Sequence, residues 1–154
     1  MEYVILRCSF FMEYWLSPLI GFDYPNRKAM IFGSGENPIS FITIADVSEA
    51  AAQAAINAEV ANRDIEVGGP EPVSPNAALR IFEEVIGSPF EVEHVLEPAL
   101  EAQKAATEDA HTPSVTALSL DFAHGDVVDT STMTTLLPFE RSSVRQYSEA
   151  LPRG

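Results

Sequence analysis

Tyr3-Val4-Ile5-Leu6-Arg7-Cys8-Ser9-Phe10-Phe11-Met12-Glu13-Tyr14-Trp15-Leu16 opens the chain after only two residues. Tyr3 to Leu6 are apolar and partly β-branched, and Arg7 ends the run. A short continuous apolar run closed by a polar break is the pattern of a strand buried inside a sheet. Such a strand needs neighbours on both edges and cover on both faces. The reading therefore predicts a sheet, with some of its members supplied from beyond these residues.

Composition bounds the rest. The chain has 154 residues, 46% of them apolar, which suits one globular domain over 1–154. Its 23 acidic and 9 basic residues give a formal charge of −14. That field repels nucleic acid and anionic lipid, and Arg27-Lys28 is the only adjacent basic pair, so neither partner is expected. A single cysteine, Cys8, excludes an internal disulfide and fits a reducing compartment. No secretory leader pattern and no apolar run of about 20 residues is seen, so the expected location is cytoplasmic.

Moving outward, Phe10–Phe22 carries Pro18 and Gly21 and predicts at most a short helix and then a loop. Ala29–Phe32 reads as a short strand among turn-formers, and Ile39–Ile44 as another. Asp46 is placed as the N-cap of an alanine-rich helix over Val47–Ala58, with Val47, Ala50, Ala51, Ala54, Ala55 and Ala58 at helical spacing. A strand at Asp64–Val67 ends in Gly68-Gly69-Pro70. Ser74 as N-cap and Pro75 at the first helical position start a helix over Asn76–Ile86, which Gly87 closes. Phe90–Val95 alternates with the period of a half-buried strand. Helices are expected over Pro98–Thr107, over Thr112–Ala123 and over Ser142–Leu151, with a polar loop across Gly125–Thr135.

Three segments in this order carry a family resemblance. Tyr3 to Glu13 resembles the strand-and-aromatic element of NmrA-like proteins, a branch of the atypical short-chain dehydrogenase/reductase superfamily. Ile39-Ser40-Phe41-Ile42-Thr43-Ile44-Ala45-Asp46-Val47-Ser48-Glu49-Ala50 is similar to that superfamily's strand-into-helix element, and Ile65-Glu66-Val67-Gly68-Gly69-Pro70-Glu71-Pro72-Val73-Ser74 to its strand and cap. Together they cover about residues 3–100. The resemblance implies an α/β class: the C-terminal portion of a Rossmann-like NAD(P)-binding fold, a few-stranded, mostly parallel sheet with flanking helices. It implies an NAD(P)-dependent oxidoreductase whose glycine-rich phosphate loop and catalytic Tyr and Lys lie upstream of Tyr3, so that this chain alone is inactive. The other reading is a non-enzymatic NmrA-like regulator or interaction module. By the same resemblance Cys8, Ser9, Phe10 and Phe11 lie beside the nicotinamide ring, Cys8-Ser9 standing where the family has Pro-Gly.

Read from the residues themselves, the rest of the chemistry is sparse. Gly33-Ser34-Gly35 has Pro38 where a third glycine would stand and reads as a turn. Gly68-Gly69 is followed by Pro70, Pro72 and Pro75, which suits a loop lining the substrate cleft rather than a phosphate cradle. Tyr24 and Lys28 have the spacing of a reductase pair, but Pro25 opposes the helix that spacing requires. Phe10, Phe11, Trp15 and Leu16 serve equally as packing. Cys8 beside a strand is expected to be inert. His94, His111 and His124 show no ligand spacing, and Glu83-Glu84 faces solvent. A small-molecule ligand is allowed. The unpaired opening strand predicts self-association, or a partner chain that completes the sheet.

Overall fold

A computed structural model describes residues 2–106 and 112–152. Strand β1 (Val4–Cys8) pairs in parallel with β4 (Arg63–Val67), from Val4 opposite Arg63 to Cys8 opposite Val67. A second sheet joins β2 (Phe22–Asp23), β3 (Lys28–Phe32) and β5 (Glu91–Val95), antiparallel between β2 and β3 and parallel between β3 and β5. Around them stand α1 (Met12–Trp15), α2 (Ile44–Ile56), α3 (Pro75–Ile86), α4 (Glu97–Ala106), α5 (Thr112–His124), α6 (Ser131–Leu136) and α7 (Val144–Ala150). The α/β class with a small, mostly parallel sheet and flanking helices is therefore present.

The opening strand is only half buried, which corrects the expectation of an interior strand. Val4, Leu6 and Cys8 are partly covered, whereas Tyr3 is 50% and Ile5 46% exposed. Among the described residues its backbone pairs with β4 alone, so one edge stays open.

The segment Ile39–Ile44 does not form a strand. It runs extended, but Ile39 bridges Val73 and Asp126, and Ile42 bridges Phe11. Partners drawn from separate loops give single bridges instead of a ladder. The segment's alternation still works, because it threads between two apolar clusters: Ile39 and Phe41 join the aromatic cluster of Trp15, Phe82 and Phe122, and Ile42 joins that of Ile65, Val67 and Met133.

Helix α2 starts earlier than expected, so Asp46 is not its cap. Thr43 Oγ1 accepts the Asp46 amide at 3.1 Å and does that work. The buried Asp46 carboxylate instead accepts the Ser142 amide at 2.9 Å and the Ser142 hydroxyl at 3.3 Å, tying the C-terminal segment to the first turn of α2. Helix α3 starts and ends as expected, with Ser74 accepting from Ala77 and Gly87 left-handed at φ 76°. The polar stretch after Gly125 contains α6, which buries Met133 and, beyond its end, Leu137. The last helix begins at Val144 under a capping box formed by Ser143 and Gln146.

Gly68 and Gly69 are buried by close approach of the backbone. A Cβ on Gly69 would lie 2.1 Å from the Phe41 carbonyl oxygen, and one on Gly68 2.9 Å from Ser40 Cβ. They are packing glycines against the 39–42 segment, and they are not among the residues lining the cleft described below. Arg141 fastens the loop by donating to the Gly68 and Gly69 carbonyls, both at 3.0 Å.

Candidate functional site

Cys8, Ser9, Phe10 and Phe11 line one cleft of about 500 Å³ beyond the C-terminal end of β1, opposite Leu118, Asp121, His124, Gly125 and Asp126. The four residues that the family resemblance singles out are consecutive in the chain and share this lining. The C-terminal ends of parallel strands are where α/β folds leave their ligand crevice, since the loops diverge there.

Backbone hydrogen bonds fix the near wall. The Ser9 amide donates to the Val67 carbonyl at 2.9 Å, extending the β1–β4 ladder by one step. The Ile42 amide donates to the Phe10 carbonyl at 3.1 Å, and the Met12 amide donates to the Ile42 carbonyl at 2.9 Å. The aromatic floor is a packed unit: Trp15 stacks on Phe122 with centroids 4.4 Å apart and planes at 11°, and the Phe10 ring stands edge-on to both. Aromatic packing of this kind holds a rigid, flat-sided wall.

The far wall depends on Gly125. At φ 87°, with a Cβ that would meet the Pro38 carbonyl oxygen at 2.8 Å, this position admits only glycine at low strain. The turn it makes ends α5 and aims Asp126 back at β1. There the Asp126 amide donates to Pro38 at 3.0 Å, its carbonyl accepts the Ser40 amide at 2.8 Å, and Oδ2 accepts the Ser9 hydroxyl at 2.6 Å. Ser9 is buried, so this charge-assisted bond locks the carboxylate across the cleft. At the rim, His124 Nε2 lies 3.3 Å from Glu97 Oε2.

Burial pushes the Cys8 thiol above its usual pKa, so the reactive thiolate is disfavoured, as expected for an inert cysteine. The lining carries two carboxylates and no lysine or arginine. It suits a flat, uncharged or cationic ring and does not suit a pyrophosphate. The lining offers no lysine or arginine to a phosphate.

The other sequence candidates lie elsewhere. Gly33 and Gly35 are turn glycines at φ 68° and 73°. Tyr24 sits in a 3-10 turn while Lys28 starts β3, so the two do not share a helical face. His111 lies outside the described residues, and no metal-ligating cluster occurs among the described ones. His124 is read in the sequence only as a histidine without ligand spacing, and Asp121 and Asp126 are not singled out there, although Gly125-Asp126 just after a helix end is a recognisable turn signal.

No family model and no curated protein matches the chain. Solved structures do. An isoflavone reductase superimposes with a TM-score of 0.77 at 20% identity, covering 96% of this chain and 52% of its own. A nucleoside-diphosphate-sugar epimerase from Staphylococcus aureus gives 0.74 at 16% identity, covering 97% and 52%. Leucoanthocyanidin reductase from Vitis vinifera, in its complex with NADPH, gives 0.72 at 13% identity, covering 96% and 51%.

The fold is part of the Rossmann-like α/β fold that these structures share.

This chain spans about half the length of the reductase-type structures it matches, 52% for the isoflavone reductase. No described helix of this chain is long and apolar enough to cross a membrane.

Proposed function

We propose that this chain forms the nicotinamide- and substrate-facing wall of an NAD(P)-dependent oxidoreductase. The observation that carries the reading is the gathering of Cys8 to Phe11 with Asp126 in one cleft at the end of β1, in a fold otherwise found in NAD(P)-binding reductases. When bound, the cofactor supplies or accepts a hydride at its nicotinamide ring. Phe10 and Trp15 exclude water from one side of the cleft, and Ser9 orients Asp126 as an acceptor for an N–H or O–H of the bound molecule. Because the lining holds no lysine or arginine, the cofactor's phosphates are held by residues outside the cleft, in a polypeptide that joins the open edge of β1 and supplies the glycine-rich loop. By itself the chain performs no hydride transfer.

Trp15 is the only tryptophan of the chain and lines the cleft, so its fluorescence reports occupancy. Nicotinamide mononucleotide is expected to quench Trp15 at roughly millimolar concentration, while AMP, the other half of the dinucleotide, leaves it unchanged. Tighter binding of AMP than of the mononucleotide would overturn the reading.

A further inference from the structure

A cavity of about 270 Å³ lies between the Tyr24–Asn26 turn, the second half of α3 and the end of α7. It shares no lining residue with the cleft at Ser9 and Asp126. Phe82, Val85, Ile86, Leu151 and Pro152 make an apolar wall, and the Tyr24 ring, centred 6.0 Å from that of Phe82, continues it. Among the described residues that line it, Arg27 is the one charged group. In a chain with 23 acidic and 9 basic residues, a hollow lined by a cation and no carboxylate reverses the general balance.

Two polar groups at this cavity are uncommitted. Arg7, Lys28 and Arg145 each lie beside a carboxylate. The Arg27 guanidinium has no hydrogen-bond or ion-pair partner among the described residues, and neither has the Tyr24 hydroxyl. Ser148 differs, because its hydroxyl already donates to the Arg145 carbonyl at 2.8 Å and has no proton left for a ligand. Arg27 also starts from a fixed point. Its backbone is left-handed at φ 56°, its amide donates to the Tyr24 carbonyl at 3.3 Å, and its carbonyl accepts the Glu91 amide at 2.8 Å. A non-glycine residue stays in that region only where its surroundings determine it.

We propose that this cavity binds a small organic monocarboxylate with an apolar body about the size of one ring. The body covers Phe82, Val85 and Ile86, the carboxylate pairs with the Arg27 guanidinium, and the Tyr24 hydroxyl donates to the same carboxylate. Size selects a small ligand, since the volume is below the range of about 300–1,000 Å³ usual for drug-sized ones. Charge selects the head group, because the guanidinium fork matches a carboxylate in two parallel hydrogen bonds. A cationic ligand would meet a like charge, and a polyphosphate would leave the apolar wall in water. The site stands apart from the nicotinamide reading and does not depend on it.

The test is calorimetric titration of the chain with 3-phenylpropionate and with 3-phenylpropionamide, its uncharged counterpart of nearly the same shape. The acid is expected to bind at roughly 0.1–1 mM and the amide at least about tenfold more weakly. Added salt should weaken the acid and leave the amide unchanged. Arg27→Asn removes the cation and puts in a residue that tolerates the left-handed region, so it should bring the acid down to the level of the amide. Ile86→Asp, at a rim position 37% exposed, should weaken both compounds by about tenfold. Both positions are exposed, so the melting temperature should hold, and a folding defect in one variant leaves the other informative. No binding of the acid at about 10 mM, equal binding of acid and amide, or acid binding that either substitution leaves unchanged would each overturn the assignment.

Discussion

Replacing Gly69 by alanine tests how the loop after β4 is held against the 39–42 segment. The new Cβ would sit 2.1 Å from the Phe41 carbonyl oxygen, whereas carbon and carbonyl oxygen rest at about 3.3 Å or more. Backbone must move by about 1 Å, because the obstacle is a carbonyl and not the end of a flexible side chain. That shift breaks the 3.2 Å bond from the Gly69 amide to the Ser40 carbonyl, worth about 1 kcal/mol. It also strains a segment packed between two clusters, at about 1–3 kcal/mol. The loss of unfolded-state entropy returns about 0.4–1 kcal/mol. The net expectation is a destabilisation of about 1–3.5 kcal/mol, read from the urea midpoint at unchanged slope. Gly87→Ala is the internal control, since its φ of 76° is left-handed but a Cβ there meets nothing within 4 Å. It should cost about 1 kcal/mol from conformation alone. A Gly69→Ala protein as stable as wild type, or more stable than Gly87→Ala, would refute the close-packing argument.

Three further outcomes are expected. Ser143→Ala removes the capping box of α7 and should lower stability by about 1 kcal/mol in the same urea assay; no change beyond a few tenths would contradict the cap. Tyr147 is pushed up to about 12, chiefly by burial and then by the Glu13 carboxylate and Tyr24, so spectrophotometric titration should show one late step that Tyr147→Phe abolishes. With the folded value above the usual 10, the native state holds its proton longer than the unfolded chain. That contribution is fully present below about pH 10 and is lost as pH rises toward 12. The open edge of β1 should make the purified chain self-associate. Ile5→Lys, at a position 46% exposed, should restore a monomer without lowering the melting temperature, whereas a wild-type chain that scatters as a compact monomer would count against the edge.

Local signals carried much of the fold into the sequence. Ser74-Pro75 and Gly87 bound α3 because capping and left-handed closure are decided within a few residues. The pairing of β1 with β4, from Val4–Cys8 to Arg63–Val67, was not legible, since register across that separation leaves no local trace. Ile39–Ile44 misled for a physical reason: alternation between two clusters gives the same period whether or not a ladder forms. Asp46 misled because an aspartate at a helix start can serve either its own first turn or a distant amide, and Thr43 had already taken the first role. Polar Ser131, Thr132 and Thr134 hid α6, although Met133, Leu136 and Leu137 have helical spacing. Cys8 to Phe11, which the family resemblance singles out, line the cleft as one unbroken run. Asp126 was not legible, because its role comes from a turn at Gly125 that brings it 117 residues back to Ser9.

The most direct measurement of the central claim is a residue-resolved NMR titration of the chain with reduced nicotinamide mononucleotide, with calorimetry of NADPH beside it. The account predicts shifts confined to the amides of Ser9, Phe10, Phe11 and Asp126 and to the Trp15 indole, at roughly millimolar ligand, and no micromolar binding of NADPH by this chain alone. Shifts elsewhere with these residues silent, or micromolar NADPH binding without a partner, would contradict it.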